Sequence, residues 1–349
     1  MGKARDSKFE LLRIFSIFLI ILSHFSYYGL QPRLRAGISL LNYLGIRLFL
    51  PYGEIGVAIF ILITGYFIGD KEFTFKDGFK KASQVWLETI FYSVLIFVLC
   101  IFFARGYIKL TLGSFVRSFL PFSFSEYWFV TAYIMLMILV PFPNILTKFL
   151  DKKQFSLLLI VTIIFCDVLP NNIASSSWGL GEIIASYLVG SYVKMYDLKI
   201  NFKKIIIFIV LIFMYVGGFL VSYAKGFDYS LQFINGGIFP LIIATELFLI
   251  IKKQKPFHNF YINKLASTVF AGYLITEHEF IREIIWKLLA FKNVDNVWIA
   301  DFSGFIGIIL ILFIGVFTVD LIRQYLFKIL KINLLKDEIE DKIFRTLFS

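Results

Sequence analysis

Long apolar stretches, separated by short polar segments, run along almost the whole chain. Their lengths approach or reach the roughly 20 residues that a helix needs to cross a bilayer. They lack the strict polar–apolar alternation of transmembrane β-strands. The pattern therefore predicts an all-α integral membrane protein, a polytopic bundle of about ten transmembrane helices. The predicted spans are 9–29, 54–69, 84–104, 127–148, 155–170, 181–196, 205–223, 232–251, 265–282 and 302–326.

Basic residues mark one side of this predicted bundle. Lysine and arginine concentrate before the first span and after each even-numbered span, as at Lys80 and Lys81. Because cytoplasmic segments of membrane proteins carry such an excess, both termini are predicted to be cytoplasmic. The polar segments are too short to hold a separate core, so residues 1–349 are predicted to form one membrane domain.

Composition excludes several other classes of protein. Of the 349 residues, 59% are hydrophobic and 17% are charged, which leaves more apolar surface than a soluble protein can cover. The net charge of +11 comes mainly from the ends of spans, where topology and anionic lipid account for it. No nucleic-acid partner is therefore predicted. The three histidines and two cysteines lack the spacing of metal ligands, so no metal site is predicted.

Two ionisable residues, Arg13 and His24, lie in the first predicted span. Eleven helical residues come to about three turns, so both side chains lie on one helix face, roughly 16 Å apart along the axis. Ionisable groups are costly in hydrocarbon, and such a pair therefore indicates function. Simpler explanations stay open, since Arg13 can anchor the helix end at the headgroups and His24 can hydrogen-bond to a neighbouring helix.

Three further motifs lie downstream of this pair. Residues 56–66 form an apolar run that ends in Thr-Gly-Tyr, and residues 126–133 read EYWFVTAY, with a Pro and an Asn after them. Residues 271–276 read AGYLIT. With Arg-(ten residues)-His in the first span, these motifs resemble the signature of membrane-bound acyltransferase family 3, bacterial inner-membrane O-acyltransferases. In the related motif of that family, His usually stands at the position of Thr276. The chain is expected to lack the SGNH-type hydrolase extension of many relatives.

The resemblance implies that the protein moves an acetyl group from cytosolic acetyl-CoA to a sugar hydroxyl. The acceptor would be a cell-surface polysaccharide or a lipid-linked glycan, and the location the bacterial plasma (inner) membrane. Acyl transfer to an alcohol needs a general base, and the imidazole of His24 suits that role. Arg13 would pair with a phosphate of CoA, and Lys80 and Lys81 would assist it. Acetyl-CoA is expected as a substrate, with no permanently bound cofactor.

Five other residues are candidates for contact with the substrates. The candidates are Glu88, Tyr127, Trp128, Glu277 and His278. Each also has a structural explanation. Glu88 can form a hydrogen bond between packed helices, Tyr127 and Trp128 can belong to an aromatic belt, and Glu277 and His278 can lie at a solvated helix end.

Alternative functions and mechanisms share these features. A transporter or flippase of a glycolipid or oligosaccharide would also have about ten spans and buried charges. A catalytically silent partner in polysaccharide assembly would tolerate the loss of His24. Within the enzymatic hypothesis, His24 could itself be acylated and then pass the group on. The sequence leaves the acceptor sugar, the acyl length and the oligomeric state open.

Overall fold

The regular structure of the chain is helical. The computed structural model describes residues 5–35, 37–103, 111–122, 124, 126–168, 179–198, 202–226, 238–289 and 296–348, and these residues contain no strand. In chain order the α-helices are α1 Ser7–His24, α2 Leu40–Arg47, α3 Tyr52–Ile68, α4 Phe75–Phe103, α5 Leu112–Phe119, α6 Trp128–Leu139, α7 Pro141–Phe149, α8 Lys152–Ile163, α9 Leu180–Tyr196, α10 Phe202–Ala224, α11 Ile238–Lys253, α12 Phe260–Ala266, α13 Val269–Glu277, α14 Glu279–Leu289, α15 Val297–Leu310, α16 Phe317–Ile329 and α17 Ile332–Phe348. The prediction of an all-α protein is confirmed.

Several of these helices are long and apolar enough to cross a membrane. In the described part of the chain, the continuous stretches Ser7–Arg33, Leu40–Ile68, Phe75–Phe103 and Val297–Ile329 meet that requirement. Helices α6 and α7 form a fifth candidate if they are taken as one span bent by 50°. These stretches confirm membrane-spanning character.

The number of ten spans and the cytoplasmic termini stay predictions. Every predicted span overlaps a helix, but α9 has 17 residues and α11 has 16, which is short for a crossing. The ends of three predicted spans, residues 104, 169–170 and 232–237, lie outside the described residues.

Helix α3 lies at the centre of the packing. It contacts α1 on one side and α9 and α11 on others. Small residues allow this close approach, since a Cβ added to Gly65 would clash with the carbonyl oxygen of Tyr187 in α9. A Cβ on Gly56 would likewise clash with the carbonyl oxygen of Ser16 in α1. Helix α3 is thus held backbone to backbone against both α1 and α9.

The start of α1 is bound to a segment near the far end of the sequence. The backbone N–H of Ser7 donates to the carbonyl of Phe257 at 2.8 Å, and its hydroxyl accepts from the N–H of Asn259 at 2.7 Å. The ammonium group of Lys8 donates to the carbonyls of Lys252 and Gln254 at 3.2 and 2.8 Å. These bonds fix α1 against the connection between α11 and α12.

Candidate active site

His24 lies where the first helix changes its geometry. The side chain of Asp6 caps α1 by accepting from the backbone N–H of Lys8 at 3.3 Å. His24 is the last α-helical residue, and the chain continues as a π-helix over Phe25–Leu30. Such turns are frequent at functional sites. The hydroxyl of Ser23 donates to the carbonyl of Leu50 at 2.7 Å, which ties this turn to the segment before α3.

The imidazole of His24 meets a carboxylate from a distant part of the chain. Its Nδ1 lies 3.1 Å from Oε2 of Glu277, the last residue of α13, and the two side chains are 15% and 6% exposed. The atoms lie at ion-pair distance, but neither makes a hydrogen bond of regular geometry among the described residues. A carboxylate beside one ring nitrogen favours a proton on that nitrogen. Nε2 is then the basic nitrogen, available to a ligand.

Two other side chains hold this carboxylate in place. The hydroxyl of Tyr28 donates to Oε1 of Glu277 at 2.9 Å. Nη1 of Arg282 lies 3.6 Å from the same oxygen and donates to the Tyr28 hydroxyl at 3.4 Å. The guanidinium also lies over the ring of Tyr28, 5.1 Å from its centroid. With Oε1 held in this way, Oε2 is the oxygen left for His24.

A cavity of about 650 Å³ opens beside this pair. His24 and Glu277 line it together with the aromatic residues Tyr28, Trp128 and Tyr273. The volume lies within the roughly 300–1,000 Å³ of typical small-molecule sites. Two titratable groups and a wall of rings therefore surround a space large enough for a substrate.

Arg13 lies away from this cavity, toward the start of α1. Its Nη1 is 2.9 Å from Oε1 of Glu10, and its side chain is 28% exposed. Lys81, near the start of α4, lies close enough to Arg13 and Lys71 for mutual electrostatic repulsion. Lys80 is its neighbour in α4. The structure thus groups Arg13 with Lys81 at one end of α1 and places His24 at the other.

The remaining predicted residues fall into different places. Trp128 lines the cavity. Tyr127 and His278 are buried next to each other, with ring centroids 6.3 Å apart, and the Tyr127 hydroxyl donates to the carbonyl of Leu274 at 3.2 Å. Glu88 lies 3.3 Å from Nη2 of Arg323. The structure therefore brings Trp128 and Glu277 to His24 and gives Glu88 an ion pair elsewhere.

The buried pair formed by Glu88 and Arg323 includes further partners. Nε of Arg323 donates to Oδ1 of Asp320 at 2.6 Å, and the hydroxyl of Tyr92 donates to the same atom at 2.7 Å. These groups join α16 to α4. Their mutual satisfaction explains how the charges are accommodated in an apolar bundle.

Sequence reasoning missed several residues at the cavity. Tyr28 carried a usable signal, since a residue four positions after His24 lies on the same helix face. Gln31, Arg47 and Glu54 also line the cavity, and none of the three was a predicted site residue. Their signal was weak because they come from three separate segments that only the tertiary fold brings together.

Comparison with known proteins identifies the family of the chain. No curated protein and no solved structure matches the chain. A family model described as an acyltransferase domain matches residues 6–320, which include α1, the cavity and Glu277. That match covers most of the 349 residues. The chain therefore belongs to membrane acyltransferase family 3.

Proposed function

We propose that this acyltransferase is an integral-membrane O-acetyltransferase. It moves an acetyl group from cytosolic acetyl-CoA to a sugar hydroxyl of a cell-surface polysaccharide or lipid-linked glycan. The bacterial plasma membrane is the proposed location. The observation that carries the proposal is the contact between His24 and Glu277 at the wall of an open cavity.

In the proposed reaction His24 is the general base. Its Nε2 takes the proton from the acceptor hydroxyl while the hydroxyl oxygen forms a bond to the thioester carbonyl carbon. The carbon–sulfur bond then breaks, and the CoA thiolate receives the proton from the imidazolium. Glu277 lies 3.1 Å from Nδ1, where its negative charge stabilises the imidazolium that forms between these steps. Tyr28 and Arg282 act as positioning residues because they hold the carboxylate rather than touch the reacting atoms.

Arg13 and the lysines near it provide the proposed site for the CoA phosphates. A guanidinium forms strong paired hydrogen bonds to phosphate, and Lys81 adds a second positive charge close to it. Lys80 is included because it precedes Lys81 in the same helix. The roughly 16 Å between positions 13 and 24 along the helix is of the order that an extended pantetheine arm spans. Donor phosphates and the reacting thioester would then occupy opposite ends of α1.

The aromatic wall of the cavity supports a sugar as acceptor. Trp128 and Tyr273 line it, and the negative potential of an aromatic face attracts the weakly positive C–H groups on a face of a pyranose. Tyr127 and His278 lie behind this wall, and in this proposal they shape it rather than contact the acceptor.

Labelling of glycans tests the proposal. Membranes of the producing strain that contain the full-length chain are incubated with radiolabelled acetyl-CoA, and the label in glycan is measured. Wild type should label the glycan and His24→Ala should not. His258→Ala is the matched control, because His258 is exposed in the connection between α11 and α12.

Two outcomes would overturn the proposal. Equal labelling by His24→Ala and wild type would remove His24 as the base. A glycolipid that changes leaflet without gaining label would instead indicate the transporter or flippase.

A further inference from the structure

Three polar side chains at the cavity have no role in the proton transfer described above. Glu54 is in the first turn of α3, Arg47 is the last residue of α2, and Gln31 follows the π-helical turn. All three line the same cavity as His24. They come from three segments and converge on one space.

Each of them has a buried atom that lacks a partner. Oε2 of Glu54, Nε of Arg47 and Oε1 of Gln31 make no hydrogen bond to any described residue. A buried polar atom left without a partner costs about 1–3 kcal/mol. The side chains that carry these atoms line one cavity, and a polar ligand there would offset part of that cost. Glu54 is 7% exposed, so bulk water has little access to its carboxylate.

The segments that carry these groups are fixed relative to His24. The hydroxyl of Ser23 donates to the carbonyl of Leu50 at 2.7 Å, and the hydroxyl of Ser26 donates to the carbonyl of Ile46 at 2.5 Å. The first bond joins α1 to the connection between α2 and α3, and the second joins the π-helical turn to α2. The guanidinium of Arg47 lies over the ring of Tyr43, 5.8 Å from its centroid. The polar atoms are thus held in place in advance of binding.

We propose that Glu54, Arg47 and Gln31 form the recognition subsite for the acceptor, and that this subsite takes an uncharged sugar ring with adjacent hydroxyl groups. One hydroxyl donates to Glu54, and the oxygen of its neighbour accepts from Arg47. The assignment rests on the function proposed above, in which the same ring presents a third hydroxyl to His24.

The acidic groups at the cavity explain why an uncharged sugar ring is proposed. Among the described residues that line the cavity, Glu54 and Glu277 carry carboxyl groups and Arg47 carries a guanidinium, while Arg282 is paired with Glu277. Among the described residues, the electrostatic neighbour of Glu54 is Glu182, a second acid. A sugar with its own carboxylate would add a further acidic group to this buried space, whereas hydroxyl groups supply donors to the carboxyl oxygens.

Binding of simple glycosides tests the subsite without any acyl transfer. The full chain in lipid nanodiscs is titrated with the methyl glycosides of glucose, galactose, mannose and N-acetylglucosamine, and with methyl glucuronide, by saturation-transfer NMR. At least one neutral glycoside should bind, and the glucuronide should bind more weakly. Glu54→Gln and Arg47→Gln should each weaken the best neutral glycoside about tenfold or more, the loss of one hydrogen bond to a charged group.

Asp301→Asn provides the matched control. Asp301 is 4% exposed, and its two carboxylate oxygens also have no hydrogen-bond partner among the described residues, but it does not line this cavity. The control should bind the glycoside as wild type does. Unchanged binding by Glu54→Gln, failure of every neutral glycoside to bind, or tighter binding of the glucuronide would each overturn the proposal.

A second measurement applies to wild type alone, in case a variant fails to fold. Monodeoxy analogues of the best glycoside should bind more weakly when the missing hydroxyl is the one that Glu54 accepts, and equal affinity of all analogues contradicts the subsite. Failure of the enzymatic proposal gives a different result. If the glycoside still binds to His24→Ala and wild type transfers no acetyl group, the subsite proposal holds and the acetyltransferase proposal is refuted.

Discussion

Glu277→Gln is the substitution that tests the candidate site most directly. It keeps the size of the side chain and the oxygen that accepts from Tyr28, but it removes the negative charge 3.1 Å from Nδ1 of His24. The amide can also turn its NH2 group toward the ring, which would place the proton on the wrong nitrogen. The change therefore affects the base and its tautomer without opening a cavity.

The expected loss follows from the contact. In the proposed transition state the imidazolium donates from Nδ1 to this carboxylate, since catalytic hydrogen bonds often tighten only when the substrate reacts. A hydrogen bond to a charged group contributes about 1.5–3 kcal/mol, and each 1.36 kcal/mol changes a rate tenfold, so kcat should fall about 10- to 100-fold. The KM for acetyl-CoA should stay near its wild-type value, because Glu277 lies at the end of α1 opposite to Arg13. A fall in kcat with unchanged KM is the sign of an interaction made in the transition state.

The assay is the rate of acetyl transfer from labelled acetyl-CoA to glycan in membranes with equal amounts of each variant. Glu279→Gln is the control, since Glu279 lies two residues further on and pairs with Arg117 at 3.7 Å, outside the cavity. A Glu277→Gln enzyme with wild-type kcat would refute the role of the carboxylate. A loss that appears only in KM would assign Glu277 to substrate binding instead.

Three further predictions concern the donor site, helix packing and pH. Arg13→Ala should raise the KM for acetyl-CoA about tenfold with kcat retained at saturation, from the loss of a charged hydrogen bond to phosphate; an unchanged KM in purified protein would contradict the assignment. Gly65→Ala should lower the thermal unfolding midpoint, because the new Cβ meets the Tyr187 carbonyl, whereas Gly217→Ala, with open space around its Cβ, should not; calorimetry of the two variants decides. Burial and the charge of Glu279, partly offset by Arg117 and Arg282, raise the pKa of Glu126 to about 7. The carboxyl group therefore binds its proton more tightly in the folded state than in the unfolded chain. Its contribution to the free energy of unfolding is fully present below the usual pKa of 4.5 and is lost as pH rises to about 7. Glu126→Gln should therefore be more stable than wild type at pH 8 and not at pH 5, and thermal melts that show no such difference would refute the shift.

The first helix was readable from the sequence because its signals are local. An arginine and a histidine within one apolar run stand out, since ionisable groups are rare in hydrocarbon. The structure places Arg13 in the second turn of α1 and His24 at its last residue. The motif around residue 273 also gave a useful signal, and Tyr273 lines the cavity.

The contacts that complete the site were not readable in the same way. Tyr28 and Glu277 are 249 residues apart, and nothing in a single sequence says which of several acids will meet His24. Glu88 looked as suitable as Glu277 from its place in an apolar run, yet it pairs with Arg323. The π-helical turn at Phe25–Leu30 also has no pattern in the sequence, because it depends on packing against α14.

The bonds between Ser7 or Lys8 and the connection after α11 have a consequence for synthesis of the protein. Ser7 and Asn259 are 252 residues apart, so the first segment made waits for partners that leave the ribosome much later. At about 5–20 residues per second, that delay is roughly 10–50 s. During this interval Arg13 already has Glu10 beside it, but His24 lacks Glu277, which is made later still. An insertase or chaperone that shelters polar helices would be needed at that stage, and enzyme activity would arise only as translation nears its end.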